Sequence, residues 1–266
     1  MTGSTDEGRL PMADRPVAEM PGHWVLARLG KKVLRPGGAA LTRTMLAAAQ
    51  IPGSRVVELA PGLGRTAGEI VALKPAHYRG VERDEAAASF VRAVIGDAGE
   101  CVVGDAAATG LPEGCADVVV AEAMLTMQSA RGKAAIVKEA ARLLRPGGRY
   151  AIHELTVVDG SDAQRDLARS IKVNAQPLSP QQWCSLLEDA GFDIVATHEA
   201  PMRLLSLGRL VADEGPAGAT RFLLNLLRDR EARARVLAMR AVFHRHRREL
   251  RGIAIVGRRV TAEQPE

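Results

Sequence analysis

Three acidic side chains, Glu82, Asp105 and Glu122, each stand at the end of a short strand pattern, and the bend Gly62-Leu63-Gly64 follows another. A carboxylate offers several lone-pair sites and suits the paired hydroxyls of a ribose. Glycines at a bend let backbone approach a ligand closely, and a helix opening there presents free N–H groups to an anion. About twenty residues separate Gly62 from Glu82, the spacing that one strand-helix-strand unit imposes, so Glu82 reads as a ribose acceptor with Arg83 beside it. Gly104, Asp105 and Ala106 fall where an adenine edge would be read. The plainer alternatives are a solvated carboxylate at Glu82 and a bend that needs glycine only for its own geometry.

Glu122, His153 and Glu154 are the candidates for acid-base work, because each lies near the end of an apolar run. His153 has the ordinary pKa best suited to a general base. Side chains alternate along a strand, so His153 and Glu154 point to opposite faces and only one of them can face a site. The competing reading of His153 is a hydrogen-bonded core residue. His23 and Trp24, ahead of the first strand, are candidates to cover a substrate, with helix packing the alternative for Trp24. His198, His244 and His246 are weaker candidates. No cluster of His, Cys and carboxylates has metal-ligand spacing, so a metal-free site is expected.

These residues need a parallel sheet to bring them together. Short buried-strand patterns at 55–59, 77–81, 101–103, 117–121 and 149–155 alternate with helical periodicity, which predicts a mostly parallel sheet with helices on both faces. In such a sheet, ligands bind beyond the carboxyl ends of the strands, where all the polar residues above fall. Further strands are expected at 192–197 and 252–257, a helix at 180–190, and a long Arg-rich helix over about 221–250. Two helical stretches between 23 and 50 break at Leu34-Arg35-Pro36-Gly37-Gly38.

Glu58-Leu59-Ala60-Pro61-Gly62-Leu63-Gly64 resembles the first motif of the class I, Rossmann-like S-adenosylmethionine-dependent methyltransferases. Glu82 matches that family's ribose-binding acid, Gly104-Asp105-Ala106 with Leu111-Pro112 is similar to its adenine-side motif, and Leu143-Leu144-Arg145-Pro146-Gly147-Gly148 resembles the loop before its fifth strand. The resemblance implies a seven-stranded sheet with an antiparallel last strand. It also implies S-adenosylmethionine as cofactor, S-adenosylhomocysteine as product and a small-molecule methyl acceptor. It assigns Glu58, Ala60, Gly62, Gly64, Glu82, Arg83, Gly104, Asp105, Ala106 and Glu122 to the cofactor. The turn at Arg35-Pro36-Gly37-Gly38 with Leu41-Thr42 is similar to one seen before the core in small-molecule members, and implies a contact of Thr42 with the methionine end. One departure is Thr66, where many members carry a further glycine, and a capping role for its hydroxyl is expected instead. The Pro-Pro-Tyr type sequence that amino-methylating relatives carry after the fourth strand is replaced by Glu122-Ala123-Met124-Leu125.

Composition narrows the class further. Of 266 residues, 47% are hydrophobic and only 3% aromatic, so aliphatic side chains must fill one large core. Cys101, Cys115 and Cys184 have no paired spacing and read as reduced thiols. No long apolar run and no basic-then-apolar leader is present, so a cytoplasmic protein without a membrane span is expected. The net charge of +5 is more than accounted for by 228–251, where nine arginines face three acidic residues. Aromatics for base stacking are scarce, so no nucleic-acid partner is expected; a homodimer is left open. The expected layout is a flexible leader over 1–20, a helical cap over 21–52, a methyltransferase domain over 53–260 with helical insertions at 156–190 and 200–250, and a tail at 261–266. Two other readings compete. One is a nicotinamide-dependent oxidoreductase, which shares the bend and ribose acid but wants the later glycine and has no use for Asp105. The other is a non-catalytic cofactor-binding relative that uses the Arg-rich helix as a partner surface.

Overall fold

The computed structural model describes residues 16–17, 19–31, 35–158, 162–171, 175–202 and 207–260. Seven strands form one sheet in the order β3-β2-β1-β4-β5-β7-β6: β1 (Arg55–Leu59), β2 (His77–Glu82), β3 (Gly99–Val103), β4 (Ala116–Glu122), β5 (Leu144–Val157), β6 (Phe192–Pro201) and β7 (Leu250–Arg259). The first five strands are parallel, and β7 runs antiparallel to both β5 and β6. The order reverses between β1 and β4, which creates a crevice at the carboxyl ends of these two strands.

The central strands β1 and β4 are buried along nearly their whole length, as apolar runs covered on both faces should be. One face carries α2 (Ala39–Ala49), α3 (Arg65–Ala72) and α4 (Glu85–Ile95), packed through Leu41, Met45, Ile70 and Val91. The other carries α5 (Ala130–Leu143) and α7 (Pro180–Glu188), packed through Ile136, Val137, Trp183 and Leu187. Short polar side chains start several of these helices. Asp84 caps α4, Ser129 caps α5, and Ser179 with Gln182 forms a capping box on α7.

A separate apolar cluster caps the carboxyl end of β5. It joins α1 (Gly22–Arg28), α6 (Ala163–Ile171), α8 (Leu207–Arg228) and α9 (Arg230–Arg245) to Leu155 and Val157 of β5 and Leu250 of β7. Two expectations change here. Val17 and Met20, assigned to a flexible leader, are buried in this cluster, and the Arg235 guanidinium donates to their backbone carbonyls. The single Arg-rich helix is instead two, because Asp229 leaves the helical path and caps α9 through the Ala232 N–H. Within α8, Gly215 at φ +73° ahead of Pro216 produces a kink.

Candidate active site

The crevice at the β1/β4 reversal begins with two backbone irregularities. Ala60 after β1 and Ala123 after β4 both hold positive φ, +53° and +54°, a conformation that alanine rarely adopts. Their N–H groups donate to the Val81 and His153 carbonyls at 2.8 Å, so each strand adds one further ladder bond before turning sharply. Gly62 follows at φ +59°, and a Cβ built there would meet nothing within 4 Å, so the bend faces open space. Gly64 is glycine for another reason: a Cβ would press on Val91 and Val94 of α4 at 3.2–3.3 Å.

Glu82 at the tip of β2 lies against this bend. Its Oε2 accepts from Gly62 N–H at 2.9 Å, while Oε1 accepts from the backbone N–H of Arg83 at 2.8 Å and Asp84 at 3.2 Å. Three donors leave a lone-pair site on Oε2 beside the bend. Gly104 N–H donates to the Glu82 carbonyl at 2.9 Å, which sets the exposed Asp105 next to it at the tip of β3. Asp105 Oδ1 accepts from Ala107 N–H at 2.7 Å and so shapes its own turn. From beneath, Glu139 of α5 accepts from Thr109 N–H and Oγ1, tying this loop to the helix. The Arg142 hydrogen bond, set against burial, draws that carboxyl down to about 2. Sequence spacing gave no sign of Glu139, since its partner lies thirty residues away.

Glu58 lies one layer deeper. It is buried beneath the bend and accepts from Tyr78 Oη at 2.7 Å. Burial pushes its carboxyl up to about 8, against the pull of the Tyr78 hydrogen bond and of Arg35. Glu58 therefore supports the bend from below and does not line its open side.

A buried ionic cluster closes the crevice from the β4 and β5 side. Glu122 and His153 are register neighbours on adjacent strands, and His153 Nδ1 lies 2.6 Å from Glu122 Oε1. Thr42 Oγ1 donates to the same oxygen at 2.5 Å and lies 3.1 Å from His153 Nδ1. Thr66 Oγ1 donates to Glu122 Oε2, which Arg35 Nε also meets at 2.9 Å. Arg35 further donates to Glu69 Oε1 at 2.9 Å and to Thr66 Oγ1 at 2.7 Å. Burial alone would raise the Glu122 carboxyl, but the His153 hydrogen bond and the Arg35 charge bring it down to about 2.

His153 Nε2 faces the Pro36 carbonyl, so both ring nitrogens of this fully buried residue lie against protein oxygens. That is the hydrogen-bonded core arrangement rather than the one a general base needs. Thr42, fully buried, is turned toward Glu122 and His153 rather than toward open space. Thr66 does not cap α3. The helix begins at Arg65 with Gly64 at the cap position, so the Thr66 hydroxyl lies inside the first turn and reaches Glu122. The start of α3 consequently has no side-chain cap. Arg35, which the sequence offered only as part of a turn, is the hub of the cluster. An arginine in an otherwise Pro/Gly/Ala segment is the one trace it left.

Strand alternation holds at the next residue. Glu154 points to the opposite face, where it accepts from the N–H groups of Met124, Leu125 and Thr126 and from Thr126 Oγ1 at 2.7–3.0 Å. Burial raises its pKa, and four donors fix it as the staple of the loop after β4. Trp24 packs into the cap cluster; His23 belongs to α1, and its side chain lies outside the described residues. Among the described residues no group of His, Cys, Asp and Glu is arranged to hold a metal ion, and no helix is long and apolar enough to cross a membrane.

With this geometry in place, residues 57–152 match the model of the methyltransferase domain family. A protein from Haemophilus influenzae, described as uncharacterized, is 33% identical over 216 residues, spanning 78% of this chain and 86% of that protein. The chain belongs to the class I S-adenosylmethionine-dependent methyltransferase family. Among solved structures, the [4+2]-cyclase SpnF is similar with a TM-score of 0.67 and 15% identity, covering 90% of this chain and 93% of that one. Geranyl diphosphate C-methyltransferase from Streptomyces coelicolor, solved with Mg2+, geranyl diphosphate and S-adenosyl-L-homocysteine, has a TM-score of 0.60 and 13% identity over 84% of this chain and 77% of that one. At these identities the likeness is one of fold. The residues that carried the sequence resemblance, Gly62, Glu82 and Asp105, lie at the tips of β1, β2 and β3.

Proposed function

We propose that this chain binds S-adenosylmethionine in the β1/β4 crevice and transfers its methyl group to a small molecule held between the strand tips and the helical cap. The observation that carries this reading is the meeting of Gly62 and Glu82, 2.9 Å apart, at a bend with open space beside it. A nucleoside fits there, because the free site on Glu82 Oε2 accepts a ribose hydroxyl and Asp105 and Ala106 rim the base. The uncapped N–H groups of α3 suit the carboxylate of an amino acid.

When bound, the cofactor supplies an electrophilic methyl group on a sulfonium. The chain's own contribution is alignment, and proximity of this kind supplies up to about 7–11 kcal/mol. Proton abstraction is not its main device. Glu154 is spent on four donors, His153 on two acceptors, and Glu122 on His153, Arg35 and two hydroxyls. An acceptor that arrives as a free nucleophile, such as an unprotonated amine, a thiolate or an electron-rich carbon, fits best. Arg35 and His153 act as positioning residues that pin the 35–42 segment over the crevice.

The test pairs calorimetry with turnover. The chain is expected to bind S-adenosylhomocysteine, and Glu82→Ala to lose about 1.5–3 kcal/mol of that binding, a tenfold to hundredfold rise in Kd. Incubation with S-adenosylmethionine and pooled metabolites is expected to release S-adenosylhomocysteine. Binding without any such release from any pool favours the non-catalytic reading, and equal affinity of the Glu82→Ala variant removes the ribose role.

A further inference from the structure

The helix corner at α8 and α9 lies outside the site described above, and its surface is unusual. Leu227 is 64% exposed, Leu237 53% and Leu224 47%. Helical periodicity places Leu224, Leu227, Arg221 and Arg228 on the outward side of α8, opposite the buried Ala219 and Phe222. It likewise places Arg230, Arg233, Leu237 and Ala241 opposite the buried Ala232, Val236 and Met239 of α9. The two sides are continuous around Asp229, since Arg233 Nη1 lies 3.4 Å from the Leu227 carbonyl.

The charge on this corner is not neutralised from within. Asp229 is taken up by the α9 cap and by Arg28 at 3.9 Å, and Glu249 by His246. Among the described residues, Arg228, Arg230 and Arg240 have no acidic partner, and Glu231 is the lone acid of α9.

We propose that this corner docks on an anionic lipid bilayer. Guanidinium groups pair with lipid phosphates at the depth where their stems and the neighbouring leucines meet hydrocarbon. A nucleic acid would also meet the arginines, but it reads bases by stacking, and the aromatics of these helices, Phe222 and Phe243, are buried. Exposed leucines serve no purpose against a phosphate backbone, whereas a bilayer takes up both components together.

The test is sedimentation of the full chain with vesicles of phosphatidylcholine alone and of phosphatidylcholine mixed equally with phosphatidylglycerol. Binding is expected on the mixed vesicles only and is expected to weaken with salt. An R228Q/R230Q/R240Q variant is expected to partition about a hundredfold less, at roughly fivefold per arginine close to the surface. An L227S/L237S variant is expected to lose vesicle binding while its retention on heparin stays unchanged. S-adenosylhomocysteine calorimetry on each variant checks that the fold and the cofactor site persist. Equal sedimentation with both vesicle types overturns the proposal, as does a leucine variant that binds mixed vesicles as well as the native chain. Retention on duplex DNA at salt concentrations that strip the vesicles overturns it in favour of a nucleic-acid partner.

Discussion

Glu122 binds a charged partner as well as neutral ones, because Arg35, His153, Thr42 and Thr66 all converge on its buried carboxylate. Removing one partner of a buried ion pair leaves the other charge unpaired, so Arg35→Met is expected to cost about 3–5 kcal/mol in chemical denaturation. Acid tests the same group. Its folded-state pKa of about 2 lies below the ordinary carboxylate value, so its contribution is full above about pH 4.5 and is lost as the pH falls toward 2. Glu58 runs the other way. With its carboxyl pushed up to about 8, the native state favours the protonated form, and stability declines as the pH rises from about 4.5 to 8. Glu58→Gln, which still accepts from Tyr78, is therefore expected to raise Tm more at pH 9 than at pH 5; an equal shift at both contradicts the buried-acid assignment. The types and order of Glu82, Asp105 and Glu122 were legible in the sequence because each follows a short strand pattern. Two partners of His153, Pro36 and Thr42, were not legible, since they come from a segment more than a hundred residues away.

Helices and strands carried the clearest signals where one periodicity ran uninterrupted. The strands β1 and β4 fall within a residue or two of their expected bounds, because continuous Val/Leu/Ala runs have one stable use in a covered parallel sheet. The Arg-rich stretch was harder to read. Its alanines and arginines favour helix throughout, and only the Asp229 cap reveals the break between α8 and α9. At the end of α9, His246 joins that helix to α6, with Nε2 at 2.9 Å from Asp166 and Nδ1 at 2.8 Å from Glu249, and Arg245 at 3.4 Å from Asp166. The Asp166 and Glu249 hydrogen bonds raise the His246 pKa. A raised histidine stabilises fully below about pH 6.5 and loses that contribution as the pH climbs through the folded value. Hydrogen exchange in α6 is therefore expected to quicken on the alkaline side of neutrality, and His246→Gln to erase the difference between pH 6 and pH 9. Exchange that stays pH-dependent in the variant, after correction for intrinsic rates, would contradict the clasp.

At the scale of the molecule, a sheet that reverses between β1 and β4 gathers at one edge what the chain spreads over a hundred residues. That arrangement follows from the alternation of strands and helices, which is why the site's location could be read before any contact was known. The cap could not be read in the same way. Its cluster draws Val17, Leu155 and Leu167, and Phe222 with Met239 and Leu250 from three distant stretches, and no local period announces such a union. Glu154 shows how the loop after β4 and the sheet depend on a single staple. Glu154→Ala strands four donors and is expected to cost about 3 kcal/mol or more, while Glu154→Gln keeps an acceptor and is expected to lose less. The central claim is that an adenosyl cofactor lies at the carboxyl tips of β1, β2 and β3. The direct measurement is electron density from crystals grown with S-adenosylhomocysteine. The account requires nucleoside density bounded by Gly62, Glu82 and Asp105, with a hydroxyl within hydrogen-bonding distance of Glu82 Oε2. Density lodged elsewhere on the chain, or an empty crevice at saturating ligand, would contradict it.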